Sequence, residues 1–187
     1  MSKKNKNVII ASGGTGGHIF PAVSLANYLN KNGYISILTT DDRGKKFIDK
    51  KIIEKVILIN SSSLNKKKLI SFFKIFLAII KSLIFIFKTK PKFIFGMGGY
   101  ASFPVCFAGI ILRIPFIIYE NNLLMGKANR YLTPFAKKIF VSYDDIQGIN
   151  KTHKEKVKVT GNILRESILN YSEINKSEPS NNLNILV

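Results

Sequence analysis

Glycines crowd one short stretch of this chain and end on a histidine: Gly13-Gly14-Thr15-Gly16-Gly17-His18, then Ile19, Phe20 and Pro21. Four glycines in five residues let the backbone take positive φ and come close to a ligand. An apolar run, Val8 to Ala11, precedes them, and a run with helical period (Ala22, Val23, Leu25, Ala26, Tyr28, Leu29) follows. That order reads as strand, glycine turn, helix. Amides at the end of such a turn converge on a helix N-terminus, where the macrodipole favours an anion, so phosphate or diphosphate is the expected ligand. The Walker pattern fails, because no Gly-Lys-Ser/Thr follows the glycines. The dinucleotide fingerprint fails too, because Gly14-Thr15-Gly16 is followed by Gly17 and His18 with no third glycine at the right step. His18 then has two readings. Beside the positive helix end its imidazole stays neutral at pH 7 and can act as a general base; or the stretch is a tight turn whose histidine only hydrogen-bonds its neighbours.

A second unit repeats the order. Lys92 to Phe95 reads as a strand, Gly96-Met97-Gly98-Gly99-Tyr100 as a glycine turn, and Ala101 to Leu112 as a helix with Pro104 in its first turn. In a doubly wound sheet both turns open at the carboxyl ends of the strands, where ligands sit. A strand from Pro115 to Tyr119 delivers Glu120-Asn121-Asn122 to that edge, and a helix beginning over Gly126 to Tyr131 carries Asn129 in its early turns. Glu120 is a rival to His18 as base, or a structural support. Arg165, after the strand Val157 to Thr160, can pair bidentately with a phosphate or carboxylate, or be a surface cation at a helix start. His18 and His153 lie far apart and Asp41-Asp42 reads as a turn, so no metal site and no cofactor are expected. Helix dipoles would take the part a divalent ion takes elsewhere. Cys106, the one cysteine, sits in the apolar run Val105 to Leu112 and reads as a buried thiol in a reducing compartment.

The elements that must hold these residues alternate. Gly33 stops the first helix, Tyr34 to Thr40 is a second strand, Asp41 to Gly44 a turn, Lys45 to Asp49 a short helix and Lys55 to Asn60 a third strand; Lys138 to Val141 is a later one. The pattern predicts an α/β fold, a Rossmann-like doubly wound parallel sheet. With 187 residues, 46% hydrophobic and 21% charged, the chain holds one good core, or one domain and the start of another. The basic start, Met1 to Asn7, precedes only a short strand and is not a signal peptide. A net charge of +18 calls for anionic neighbours. No helix-turn-helix, zinc-finger or RRM signature accompanies it, so nucleic acid is not the expected partner. Asn170 to Asn182 is polar and aperiodic, a linker, and Leu183 to Val187 reads as a strand opening a second domain.

Lys66 to Lys90 stands apart. Leu69 to Phe87 is nearly all Leu, Ile and Phe, long enough for a membrane span, yet Lys67, Lys74, Lys81 and Lys88 recur every seven residues with Ser71, Ala78 and Ser82 between them on the same side. Each central lysine would cost roughly 2.5–3.5 kcal/mol in a spanning helix, which argues against a single span. A helix with a lysine stripe and a wide apolar face either packs into a soluble core or lies at an anionic membrane surface. The second reading assigns Lys67, Phe72, Phe73, Lys74, Phe76, Lys81, Phe85 and Lys88 to the membrane.

Taken together, Gly13 to Pro21, Gly96 to Tyr100, Glu120-Asn121-Asn122 with Gly126 and Asn129, and Gly161-Asn162-x-x-Arg165 resemble the MurG family of bacterial N-acetylglucosaminyltransferases. The resemblance implies a GT-B architecture of two Rossmann-like domains: residues 1–169 the N-terminal, acceptor-binding one, 170–182 the linker and 183–187 the first strand of a missing C-terminal donor-binding domain. It implies inverting transfer of N-acetylglucosamine from UDP-GlcNAc to lipid I at the cytoplasmic face of the bacterial plasma membrane. The enzyme would be peripheral there, with other cell-wall synthesis proteins as further candidate partners. Carried over, Thr15, Gly16, Gly17, Asn122 and Arg165 are donor contacts and His18 the candidate base. Gly14, Gly98, Gly99, Tyr100 and Asn129 hold the acceptor diphosphate. A terminal helix of the family packs back on this domain, and its absence would leave an apolar groove. The family usually has His-Glu-Gln-Asn where this chain has Tyr119-Glu120-Asn121-Asn122, which puts the imidazole's contribution in doubt. Two other readings remain: the membrane-bound subunit of a split two-chain GT-B enzyme, and a non-catalytic basic anion binder at the membrane.

Overall fold

The structure, a computed structural model, describes residues 6–49, 53, 55–61 and 68–169. The expected linker at 170–182, the expected strand at 183–187 and Lys67 lie outside the described residues. Seven strands form one sheet: β1 (Asn7–Ala11), β2 (Ile35–Thr40), β3 (Val56–Leu58), β4 (Phe93–Gly96), β5 (Phe116–Glu120), β6 (Lys138–Val141) and β7 (Val157–Val159). Their order is β3-β2-β1-β4-β5-β6-β7 and every pairing is parallel. Parallel strands need crossovers, supplied here by α1 (Gly16–Lys31), α2 (Asp42–Lys45), α3 (Lys68–Thr89), α4 (Ser102–Ile111) and α5 (Lys127–Leu132). The strand order reverses between β1 and β4, the switch point at which doubly wound sheets bind ligands. Both glycine turns leave from these two neighbours, at their carboxyl ends. Apolar residues of the strands bury on both faces: Ile9, Ala11, Ile94 and Ile118 pack towards α4, while Val8, Ile10 and Leu38 pack with α1 residues such as Ile19, Ala22 and Ala26.

Two helix starts differ from expectation. The first helix begins at Gly16, not after the glycines, because Thr15 takes the extended N-cap conformation. The short helix expected over Lys45 to Asp49 lies earlier, over Asp42–Lys45, because the buried Asp41 caps it by accepting from the amides of Arg43 and Gly44 at 3.1 Å each.

α3 packs on α4 with its small side chains inward. Ser71, Ala78, Ser82 and Ile86 are buried, and the Ser82 hydroxyl is satisfied by donating to the Ala78 carbonyl at 2.7 Å. The large apolar residues face outward, with Leu69 84%, Phe87 68% and Phe72 65% exposed, and Phe73, Phe76, Leu77 and Ile84 beside them. Lys74, Lys81 and Lys88 are exposed. On a 100° wheel they border the buried strip, between it and the outward apolar arc. Phe85 is a correction to the expected membrane set, since it packs against the core beside Ile86. By length and composition α3 could cross a membrane.

Candidate active site

His18 falls in the first turn of α1, and the second glycine turn covers it. A Cβ on Gly98 would lie 3.0 Å from its Cε1 and 3.1 Å from Nδ1; one on Gly99 would lie 3.3 Å from Cδ2. The two turns also touch directly: the Gly13 amide donates to the Gly98 carbonyl at 2.8 Å, and a Cβ on Gly13 would sit 2.7 Å from the Gly99 Cα. Gly13, Gly14 and Gly16 in the first turn are therefore there for space. None of them takes positive φ, contrary to expectation, whereas Gly98 and Gly99 do, at +87° and +79°. Among the described residues the amides of Gly16, Gly17, Gly98 and Gly99 donate to no protein acceptor.

Glu120 ends β5 at 1% exposure. Its Oε1 accepts from the Asn122 amide at 3.2 Å and the Asn122 carboxamide at 2.7 Å; Oε2 accepts from the Gly126 amide at 2.9 Å and Asn129 Nδ2 at 3.0 Å. Four donors converge on two oxygens, so the carboxylate braces the loop after β5 and has little capacity left to take a proton from a ligand. Asn129, also buried, donates to the Tyr119 carbonyl at 3.2 Å, and its Oδ1 is enclosed with no protein partner. Next to this brace opens a cleft of about 170 Å³, lined by His18, Gly99, Tyr100, Glu120, Asn122 and Asn129, with Lys127 at its edge. Lys127 was not foreseen; as the first residue of a short helix it reads as an ordinary surface cation.

Burial pushes the His18 pKa below its ordinary value, against the opposing pull of Glu120 and of the Met97 backbone. The Met97 contact falls short of a full hydrogen bond, and Nδ1 is enclosed without a partner. The imidazole is neutral at pH 7, as a general base requires. Desolvation by burial is the cause.

Other expected residues are spread around this centre. Thr15, Gly16 and Gly17 stand at the start of α1 just before His18, outside the lining of the cleft, and Thr15 makes no capping hydrogen bond. Gly14 does not join the second turn: it faces the other way, where a Cβ would collide with Asp41 and Arg43. Arg165 stacks its guanidinium 4.5 Å over the ring of Phe20 on α1. The phenol of Tyr119 contacts Ser142 Oγ at 3.0 Å, donates to the Gly161 carbonyl at 3.3 Å and accepts from the Ile163 amide at 3.0 Å. It thus tethers the segment that carries Arg165 and lies away from the cleft. Burial pushes the Cys106 thiol up to about 12, an inert core group.

The family model for the glycosyltransferase family 28 N-terminal domain matches residues 8–141. This chain belongs to that family. Among curated relatives, it is 42% identical over 164 residues to the UDP-N-acetylglucosamine–N-acetylmuramyl-(pentapeptide) pyrophosphoryl-undecaprenol N-acetylglucosamine transferase of Rickettsia typhi, covering 87% of this chain and 42% of that protein. The same-named protein of Rickettsia prowazekii is 44% identical over 168 residues, with 87% and 42% covered. The chain spans less than half the length of these relatives. Among solved structures, MurG of Acinetobacter baumannii superposes with a TM-score of 0.72 at 23% identity, over 93% of this chain and 50% of that one. A UDP-GlcNAc 2-epimerase from Neisseria meningitidis superposes at 0.63 and 16% identity, over 90% and 50%. The fold is thus shared with enzymes of different chemistry, and the site must carry the functional argument.

Proposed function

We propose that this chain is the acceptor-side half of an inverting transferase that moves N-acetylglucosamine from UDP-GlcNAc to lipid I, forming lipid II. The observation that carries the reading is the neutral, desolvated imidazole of His18 held between two glycine turns, beside a loop fixed by Glu120. The names of the Rickettsia relatives supply the substrates. Enclosure of Nδ1 leaves Nε2 to face the cleft. Nε2 takes the proton from the acceptor hydroxyl as that oxygen attacks the anomeric carbon; the bond to UDP breaks on the opposite face and its electrons leave with the diphosphate. In this reading the free amides of Gly16 and Gly17, with Thr15, Asn122 and Arg165, serve the donor side, where negative charge accumulates. Gly98, Gly99, Tyr100, Asn129 and the unforeseen Lys127 serve the acceptor side in the same reading. Base and anion-facing groups are all protein groups, so the reading calls for no cofactor. The donor domain, in turn, corresponds to the part of the Rickettsia relatives that this chain does not span.

The test is a chimaera of this chain with the C-terminal half of the Rickettsia prowazekii relative. His18→Ala is expected to retain UDP-GlcNAc binding and lower turnover by roughly 10²–10⁴, the usual contribution of a general base. Unchanged turnover removes His18 from the chemistry.

The outward face of α3, apolar and bordered by Lys74, Lys81 and Lys88, supports peripheral docking on an anionic membrane, where a lipid-linked acceptor resides. Binding of the chain to vesicles is expected to need anionic lipid and to weaken with salt; salt-independent binding would indicate insertion.

A further inference from the structure

Pro21 lies inside α1, four residues after Gly17. Proline has no N–H, so the Gly17 carbonyl loses its helical donor, and the ring pushes that carbonyl outward. An orphan carbonyl in the first turn of a helix is a local defect, and it sits one residue before His18. The structure fills it from a distant part of the chain: Asn121 Nδ2 donates to the Gly17 carbonyl at 2.8 Å, across 104 positions of sequence. Which end of the carboxamide faces Gly17 is settled by the partner, because a carbonyl oxygen accepts and only the amide nitrogen donates. Asn121 is itself placed by its neighbour, since Glu120 braces the loop after β5 through Asn122, Gly126 and Asn129.

From this geometry we infer that Asn121 is a positioning residue, its carboxamide replacing the helical hydrogen bond removed by Pro21 and locking the first turn of α1, with His18, onto the loop after β5. The contact deepens the reading of His18 as the working base, and its consequence is geometric. Three separate elements (α1, the second glycine turn and the β5 loop) enclose one imidazole, and Asn121 is the side-chain hydrogen bond that ties the first to the third. Without it the turn is free to swing on its proline and admit water to the imidazole.

The test is a double-mutant cycle on the 187-residue chain: wild type, Asn121→Ala, Pro21→Ala and the pair. Alanine at 21 restores an N–H four residues after Gly17, so the carbonyl no longer needs Asn121. In the wild-type background Asn121→Ala is expected to lower the folding equilibrium constant about twofold, or about 0.5 kcal/mol, because the contact is solvent-exposed and water can take the place of the lost donor. In the Pro21→Ala background the same change should have no effect. The second readout is the NMR titration of His18, with His153 as an internal control. The charged and titratable groups that face His18 are Glu120 from β5, Lys127 from α5 and Tyr100 from the second turn, and none is altered in the cycle. Asn121→Ala should raise the His18 pKa towards its ordinary value, because the enclosure that depresses it is loosened, and the double variant should bring it back down. A loss of stability with no movement of the His18 titration would make Asn121 merely structural and overturn the inference. Equal effects of Asn121→Ala in both backgrounds would overturn the replacement of the Pro21 hydrogen bond. Should His18→Ala leave turnover of the chimaera intact, the catalytic reading fails while the cycle still decides the positioning.

Discussion

The two glycine turns use the same residue for different reasons. In the first, Gly13 to Gly17, the backbone is conformationally ordinary and three of its four glycines mark places where something else comes close: Gly99 at Gly13, Asp41 and Arg43 at Gly14, Phe20 at Gly16. In the second, Gly98 and Gly99 are left-handed, and they are also the surface laid over His18. The first turn is glycine because it is crowded; the second because it is crowded and bent. A composition of glycines thus says where backbone packs on backbone, but not which torsions it adopts.

The largest effect that would separate the two is at Gly99. Alanine there meets both obstacles, a φ of +79° and a Gly13 Cα 2.6 Å away, whereas Gly13→Ala meets only the contact. Gly99→Ala is expected to cost roughly 2–5 kcal/mol and Gly13→Ala roughly 1–3 kcal/mol, read from urea midpoints at constant m-value. Equal costs would mean the left-handed conformation carries no penalty here.

A smaller effect concerns what the second turn covers. His18 has its pKa depressed by burial, so between that lowered value and about 6.5 the unfolded chain binds more protons than the folded one. Stability should therefore rise with pH through this window, reach its plateau above about 6.5 and fall as the pH drops below it. His18→Gln should flatten that part of the curve, and an unchanged slope would assign it to other groups. Smallest of all is Gly17→Ala. The nearest atom to its Cβ is Asn121 Nδ2 at 3.7 Å, the φ is ordinary and the residue is helical, so a gain of about 0.5 kcal/mol is expected. A loss above that magnitude would show that crowding extends through the whole first turn.

Much of this arrangement was legible in the residues. Apolar runs such as Val8 to Ala11 and Pro115 to Tyr119 read as strands because a parallel sheet buries both faces, and the alternation with helices gave the doubly wound class. The start of α1 was not legible, because Gly16 and Gly17 look like loop until Thr15 is seen to cap them. The outward face of α3 was legible only as one of two fates: hydropathy marks an apolar arc without saying which arc packs, and the small residues Ser71, Ala78 and Ser82, noted beside the lysines, turn out to form the packed seam. Asn121 looked like a shortened copy of a family glutamine, and only the fold brings it to Gly17. Glu120 could be named as candidate base or support from sequence, but the choice needed the four donors around it.

The seam of Ser71, Ala78 and Ser82 has one more consequence. Bulky side chains hold helices together by leaving water, and that force vanishes once the surroundings are hydrocarbon. Small ones instead let backbones approach and gain dispersion, which does not depend on the medium outside. The α3–α4 pair is therefore built to keep its geometry whether its outer surface meets an aqueous or an oily neighbour, and α4 leads straight back to the turn over His18.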